Sequence, residues 1–264
     1  GTATNGLDYS IANITIAAGA TTGTASFTPI EDSLYEGVDE TAAIAISSVT
    51  GGGVTTGVTT SQSIVISDSD SAPTVTLASS ANSVTEGDSA LTLTASLSVA
   101  TTGAVTVTLD TSGTATEGAD YSSISDITIA AGSTAGSASF TVTDDSVYEG
   151  SEAATVTIGS VSGGSASAAG SGTSASITLA DNETAPTVNL SSSSSNVLEG
   201  GSAITLTATL SNVADEAVTV AINTSGTSTE GTDYAVISDI TISAGATTGT
   251  AAITPTDDNV SEGA

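Results

Sequence analysis

The chain has 264 residues, of which 29 are aspartate or glutamate and none is lysine, arginine or histidine, so its formal charge is −29. Binding to nucleic acid or to an anionic membrane surface requires basic side chains, and both partner classes are therefore excluded. Cysteine is also absent, which excludes disulfides and thiolate metal sites.

A unit of about 113 residues is repeated in tandem along the chain. The tetrapeptide that starts at Gly1 returns at Gly113 and, with one substitution, at Gly226. The tripeptide that starts at Tyr35 returns unchanged at Tyr148. A repeat of this length is far longer than a solenoid repeat and is large enough to be an independent domain with its own core.

This repeat predicts one complete unit between two partial units. The first partial unit lacks its first strands, and the last one lacks its final strands. We interpret the chain as a segment of a longer array, which agrees with the absence of methionine. The alternative is that neighbouring chains complete the open sheet edges. The predicted boundaries are 1–71, 72–184 and 185–264.

Apolar and hydroxyl residues alternate with a period of two throughout each unit, as in the segment 105–109. This alternation is typical of strands with one buried face, and it argues against disorder despite the high charge. We predict an all-β fold of tandem seven-stranded antiparallel Greek-key sandwiches of the immunoglobulin type. The predicted strands of the complete unit lie near 74–78, 90–97, 104–110, 124–129, 136–143, 153–159 and 174–180.

The acidic residues of the complete unit fall at the ends of these strands rather than along their faces. Alternate strand ends meet at one pole of a sandwich, where the carboxylates repel: a pair ~4 Å apart costs about 4 kcal/mol at an effective dielectric of about 20. Oxygen ligands without Cys or His favour Ca²⁺ over Zn²⁺ or Cu²⁺, and Mg²⁺ is the weaker candidate. The alternative is that the acids only keep the surface soluble.

The motifs that carry these acids resemble the Calx-beta domain family. They match it in order and spacing along the whole complete unit, and the partial units match where they are present. The resemblance implies a calcium-binding seven-stranded sandwich used as a tandem module of a large bacterial extracellular, adhesin-like protein. The matching stretches are Val84–Gly87, Gly113–Tyr121, Ile129–Gly132, Asp144–Glu152 and Ile177–Glu183.

The resemblance also implies a set of candidate calcium ligands. Asp120 has an alternative role, as the cap of a turn before Tyr121. The closing triplet at Asp181 departs from the consecutive aspartates usual in the family, which suggests fewer ions or lower affinity. Tyr148 is expected to be a packed corner residue. The candidates are Glu86, Asp120, Asp144, Asp145, Glu149, Glu152, Asp181 and Glu183, with Asp8, Asp32, Glu36, Asp68 and Asp70 in the first unit and Glu199, Asp233, Asp257, Asp258 and Glu262 in the last.

Catalysis is disfavoured by composition, since the chain lacks the His, Cys, Lys and Arg of most catalytic centres and has little aromatic material to line a cleft. We therefore expect a calcium-stabilised structural or adhesive array, outside the cell or at its surface, that forms a fibre, filament or adhesin stalk. Its expected partners are neighbouring repeats and other copies of the chain. The alternative is a calcium-dependent module that binds glycans or a partner protein.

Overall fold

The structure, a computed structural model, describes residues 1–258, and every regular element within them is a β-strand. The strands of the first unit are β1 (Tyr9–Ile11), β2 (Phe27–Pro29), β3 (Leu34–Tyr35), β4 (Glu40–Ala45) and β5 (Ser61–Ile66). Those of the complete unit are β6 (Thr74–Ser79), β7 (Ser83–Thr85), β8 (Leu91–Leu97), β9 (Ala100–Thr101), β10 (Val105–Gly113), β11 (Ile127–Ile129), β12 (Ala135–Phe140), β13 (Val147–Tyr148), β14 (Glu152–Ser162), β15 (Ser167–Ala168) and β16 (Ser174–Ala180). The last unit contributes β17 (Val188–Ser192), β18 (Ile204–Leu210), β19 (Val213–Ala214), β20 (Val218–Val220), β21 (Ile240–Ile242) and β22 (Thr248–Ile253).

The complete unit is built from two sheets packed around one core. One sheet has the strand order β11-β10-β14-β16-β7, and the other has the order β12-β8-β6-β15. Leu93, Ala95, Val105 and Val107 are all fully buried between the sheets, while the threonines that alternate with them lie nearer the surface. The period-two pattern of the sequence thus becomes the two faces of each strand.

All seven predicted strands of the complete unit are present, and the structure adds four short ones. The fourth predicted strand begins only at Ile127, because the residues directly before it have no regular secondary structure and pair with no neighbouring strand. The added strands β7, β9, β13 and β15 have two or three residues each. Such short segments carry too little periodicity to be recognised, since their pairing depends on where neighbouring elements lie.

The glycine that starts the repeated tetrapeptide has a steric role. Gly113 ends β10 with a φ of +132°, and a Cβ atom there would lie 2.0 Å from the Ala153 carbonyl oxygen. The next residue, Thr114, accepts a hydrogen bond from the Ala153 N–H at 2.9 Å. The close approach therefore requires glycine and holds the link between β10 and β11 beside the start of β14.

Two aromatic side chains anchor that link against the core. Tyr121 and Phe140 stack with their ring centroids 4.9 Å apart, and each is at most 1% exposed. Tyr9 and Phe27 make the equivalent stack in the first unit at 4.7 Å. Burial of each tyrosine fixes the aspartate that precedes it, and this aspartate lies at the acidic pole of its unit.

The partial units leave apolar side chains in solvent. Leu7 is 70% exposed and Val38 71% in the first unit, and Leu198 is 82% exposed in the last. In the complete unit, by contrast, the buried apolar residues form one continuous cluster across both sheets. The complete unit is therefore the best-packed part of the described chain.

Consecutive units are joined by short parallel strand pairs. Strand β3 pairs with β9, so that Tyr35 lies opposite Thr101, and β13 pairs with β19, so that Tyr148 lies opposite Ala214. Both tyrosines are half-buried at these junctions. The repeated tyrosine, expected to be a packed corner residue, is half-buried in a segment that pairs with the following unit.

Candidate metal centre

The acidic pole of the complete unit collects side chains from five places in the fold. Glu86 follows β7, Asp120 lies in the link before β11, Asp145 precedes β13, Glu149 and Glu152 flank the turn into β14, and Asp181 and Glu183 follow β16. These residues are up to 97 positions apart along the chain, and the two sheets bring them together.

Asp120, Glu149 and Glu152 form the first of two groups and are called here the Glu152 trio. Each offers a carboxylate oxygen, and the three oxygens lie within 4.8 Å of one another. Burial, followed by the charges of Asp120, Asp145, Glu86 and Glu152, raises the pKa of Glu149 to about 7. Burial and then the hydrogen bond and charge of Asp120 also raise the pKa of Glu152 to about 7.

Asp120 contributes to the trio and also closes a turn. Its Oδ2 accepts a hydrogen bond from the Thr116 N–H at 2.5 Å. The same bond forms between Asp8 and the Thr4 N–H at 2.5 Å, and between Asp233 and the Thr229 N–H at 2.6 Å. The sequence left a cap and a ligand as alternatives for Asp120, and the observed geometry is compatible with both roles, because a carboxylate can accept several contacts.

Glu86, Asp145 and Glu183 form the second group, the Glu86 trio, whose oxygens also lie within 4.8 Å of one another. Glu86 is only 8% exposed. Within the described residues, its Oε2 atom has no hydrogen-bond partner, and neither has Oε2 of Glu183. Burial first, and then the charges of Asp181, Asp145 and Glu183, raise the pKa of Glu86.

A buried carboxylate oxygen without a donor is costly, and here the sequence offers no basic side chain to pair with it. A hard cation with oxygen ligands would satisfy Glu86 and Glu183 together. The two trios are also electrostatically continuous, because the charge of Glu86 raises the pKa of Glu149 and of Glu152. The donor set and the unpaired buried oxygens therefore fit a calcium site.

Asp181 organises the pole. Its Oδ2 accepts hydrogen bonds from the N–H groups of Glu149 at 2.7 Å and Gly150 at 2.8 Å, and its Oδ1 accepts one from Glu183 at 2.6 Å. Burial acts to raise the pKa of Asp181, but these backbone hydrogen bonds outweigh it and the pKa is lowered. Asp181 thus stays ionised and ties the end of β16 to the loop that carries Glu149.

Asn182 stands where the resemblance predicts an aspartate, and its side chain donates hydrogen bonds. Its Nδ2 atom lies 2.8 Å from Asp144 Oδ1 and 3.2 Å from the Glu86 carbonyl oxygen. Asp144 is therefore paired with an amide and belongs to neither trio. The weaker closing triplet noted in the sequence thus has a structural counterpart, in which an amide donor faces the carboxylate.

The first unit repeats the Glu152 trio with Asp8, Glu36 and Glu40, whose oxygens also lie within 4.8 Å of one another. Burial, and then neighbouring carboxylates, raise the pKa of Glu36 and of Glu40. Glu40 is absent from the sequence-based candidates. The first unit has one extra residue at this point, since Val38 and Asp39 stand where the complete unit has a single residue. An alignment that allows for this insertion matches Glu40 to Glu152.

The remaining candidates of the first unit have supporting contacts. Asp68 accepts hydrogen bonds from the N–H groups of Glu36 at 2.8 Å and of Asp70 at 2.8 Å, as Asp181 does in the complete unit. Asp32 accepts one from the Leu34 N–H at 2.9 Å. Burial, followed by the charge of Asp68, raises the pKa of Asp70. None of the three joins a trio among residues 1–258.

The candidates of the last unit are not brought together in the part of the chain that the structure describes. Asp233 closes its turn, and the side chain of Asp257 lies close to Gly200, the residue after Glu199. Glu199, Asp257 and Asp258 belong to no trio within residues 1–258. Glu262 lies outside the described residues.

Comparison with protein families matches the chain three times in succession to the Calx-beta domain, over residues 1–70, 68–183 and 181–264. Comparison with curated proteins gave no match. In the described residues, no helix has the length and apolar character needed to cross a bilayer.

Several solved structures are similar to the chain. The apo form of the Calx CBD1 domain is 18% identical with a TM-score of 0.35, over 41% of this chain and 98% of that one. CBD12 of CALX1.2 is 17% identical with a TM-score of 0.37, and the match covers 70% of this chain and 76% of that one. The calcium binding domain CBD12 of CALX1.1 is 15% identical with a TM-score of 0.36, and the match covers 69% of this chain and 76% of that one.

Proposed function

The chain belongs to the Calx-beta domain family, and from this premise we propose that it is a calcium-stabilised array of structural repeats that serves outside the cell as a surface fibre, filament or adhesin stalk. In this proposal the array is not catalytic, and its partners are neighbouring repeats and other copies of the same chain. The repeat supports an architectural role, because the same acidic trio recurs in consecutive units instead of forming one unique centre.

The observation that carries the calcium proposal is the buried carboxylate of Glu86. One of its oxygens has no hydrogen-bond partner, and its carboxylate lies in a trio with Asp145 and Glu183 in a chain without any basic side chain. Calcium accepts six to eight oxygen ligands in loose geometry, which suits carboxylates that arrive from separate loops. When bound, the ion supplies the positive charge that the sequence lacks.

The residues that would hold calcium are those of the two trios in the complete unit and of the trio at Glu36. Asp181 and Asp68 would act mainly by fixing the loops, because their oxygens already accept backbone hydrogen bonds. Extracellular calcium modules bind with dissociation constants of roughly 10⁻⁴–10⁻³ M, which suits a site assembled from a few flexible loops.

The sites adjoin the junctions between units, which supports a mechanical role. Glu149 directly follows Tyr148, and Tyr148 lies in the parallel strand pair with the next unit. An ion that orders the Glu149 loop would therefore also order the segment that docks onto the following unit. We expect calcium to stiffen the array, because a ligand that binds only the ordered state stabilises that state.

We also infer that each complete unit has the Greek-key connectivity of an immunoglobulin-type sandwich. Support comes from the strand order, in which the chain crosses between the two sheets and β14 lies between β10 and β16. This arrangement brings the end of β16 next to the start of β14, and so places Asp181 against the Glu149 loop.

The first test measures thermal unfolding of the whole chain with millimolar calcium, with millimolar magnesium and with chelator. We expect calcium to raise the Tm of the main transition by roughly 5–10 °C, corresponding to 1–2 kcal/mol for a domain of this size. Magnesium should have a smaller effect, because it retains its water ligands.

A matched pair of variants locates the effect. E149Q/E152Q removes two carboxylates of the Glu152 trio, and D126N/E216Q removes two exposed acids outside both trios. The first variant should lose much of the calcium response, and the second should keep it. An identical Tm of the wild-type chain in calcium and in chelator would rule out the proposed function.

A further inference from the structure

We propose that Asp215 of the last unit contributes a carboxylate oxygen to the cation held by the Glu152 trio, so that one ion is bound jointly by two consecutive units. The inference rests on the proposed function, since it assumes that the trio binds calcium. It adds a ligand from a different unit, at a position that the sequence motifs do not include.

The backbone pairing at the junction places Asp215 beside the trio. Val147 and Tyr148 pair in parallel with Val213 and Ala214. The pairing continues by one step, because the Asp215 N–H donates a hydrogen bond to the Tyr148 carbonyl oxygen at 3.2 Å. Glu149 follows Tyr148, and Asp215 follows Ala214, the partner of Tyr148. The pairing therefore places Asp215 opposite Glu149, a member of the Glu152 trio.

The charge of Asp215 acts on Glu152, a member of the trio. After burial and the hydrogen bond and charge of Asp120, the charge of Asp215 is the next contribution that raises the pKa of Glu152. The docking of the last unit therefore brings a further negative charge to a pole that already holds Glu149 and Glu86. Without a cation this contact opposes docking, and with a cation it favours docking.

A second observation, at the Glu86 trio of the same pole, points to a cation ligand. Glu86 is 8% exposed, its Oε2 has no partner among the described residues, and its charge acts on both Glu149 and Glu152. The carboxylates that Asp215 approaches are thus part of a pole with an unsatisfied buried acceptor. Repulsion between solvated surface acids alone does not account for that buried oxygen.

The junction between the first and the complete unit has the same backbone pairing with a neutral residue in this place. Its equivalent residue is Thr102, whose N–H donates to the Tyr35 carbonyl oxygen at 3.3 Å. Besides burial, the charge that raises the pKa of Glu40, the equivalent of Glu152, comes from Asp8 of its own unit. The two junctions therefore share a geometry and differ in the one side chain that would bridge them.

The test titrates Ca²⁺ into the whole chain by calorimetry and compares D215T with E216T. D215T gives the second junction the residue of the first. E216T removes the same charge from the neighbouring exposed position, which lies in no trio. We expect D215T to weaken one class of sites about tenfold, because ligand charge sets calcium affinity, and E216T to change it less than about twofold.

The reciprocal variant T102D gives the first junction an acidic residue and does not alter the Glu152 trio. It should tighten one class of sites about tenfold. If wild-type protein binds calcium but D215T matches E216T, or T102D leaves all affinities unchanged, Asp215 is not a bridging ligand. If the wild-type chain binds no calcium, the proposed function itself is wrong, and the two failures are thereby distinguished.

Discussion

The acidic poles of the first and the complete unit are built from the same repeat but concentrate charge to different degrees. Both have a trio formed by one aspartate and two glutamates. Only in the complete unit do the described residues add a second trio, because β7 there carries Glu86 to the pole. Burial first, and then neighbouring carboxylates that include Glu86, raise the pKa values of Glu149 and Glu152 to about 7. In this comparison, Glu86 brings a second group of carboxylates, and with it an unpaired buried oxygen, to the pole of the complete unit.

The largest effect is expected from removing the aromatic anchor of the complete unit. Y121A should lower the free energy of unfolding by about 3–5 kcal/mol, because a fully buried ring stacked on Phe140 is lost. It should also weaken the calcium response, since Asp120 is held by its neighbour. Chemical denaturation with and without calcium measures both quantities.

The control for this variant is Y9A in the less completely packed first unit. Tyr9 is 7% exposed and stacks on Phe27, but fewer buried residues surround it. We expect Y9A to leave the main transition of the complete unit within about 0.5 kcal/mol of the wild type, as for independent sites. Equal losses in Y9A and Y121A would show that the two units do not unfold separately.

An intermediate effect is expected from neutralising the buried carboxylate that distinguishes the two poles. E86Q should raise the stability of the calcium-free chain by about 1 kcal/mol, because an amide is less costly to bury than a charge. The same substitution should lower the stabilisation by saturating calcium. Thermal unfolding in chelator measures the expected gain in stability, and the same experiment in calcium measures the expected loss of calcium stabilisation. A D126N control, at an exposed acid, should change neither, and a loss of stability for E86Q in chelator would contradict the repulsion argument.

The smallest effect is a pH dependence of the calcium-free chain. Glu149 and Glu152 have folded pKa values of about 7 against a reference of 4.5, so between these pH values the folded state binds more protons than the unfolded state. Their stabilising contribution is therefore complete below pH 4.5 and is lost as the pH rises through about 7. Calcium affinity should rise over the same interval, because the ligands must be deprotonated.

Unfolding scans in chelator from pH 4.5 to 8 measure this slope, and the E149Q/E152Q variant should flatten it. Because Glu36 and Glu40 also have raised pKa values, a residual slope is expected from the first unit. A slope of the same size in the wild type and in E149Q/E152Q would mean that the pole of the complete unit does not control the pH dependence.

Much of the candidate site could be predicted from the sequence, because its residues lie in local motifs. Glu149 and Glu152 follow the repeated tyrosine, and Asp120 precedes the buried Tyr121. Glu40 was missed because an inserted residue shifts it relative to the motif. Asp215 was missed for a different reason: its approach to the trio depends on how one unit docks on the next, and no motif in either unit encodes that contact.

The sequence by itself determined the all-β character, the repeat and the absence of any basic partner for the carboxylates. Side-chain alternation and composition are local properties of the chain, and they suffice for these conclusions. Only the tertiary structure decided which carboxylates share a site. Asp181 accepts backbone hydrogen bonds, and Asp144 accepts one from the Asn182 amide. Glu86 lies in one trio with Glu183, which is 97 positions away along the chain. These roles depend on distances across two sheets, and the strength of an electrostatic interaction follows distance in space and burial rather than separation along the chain.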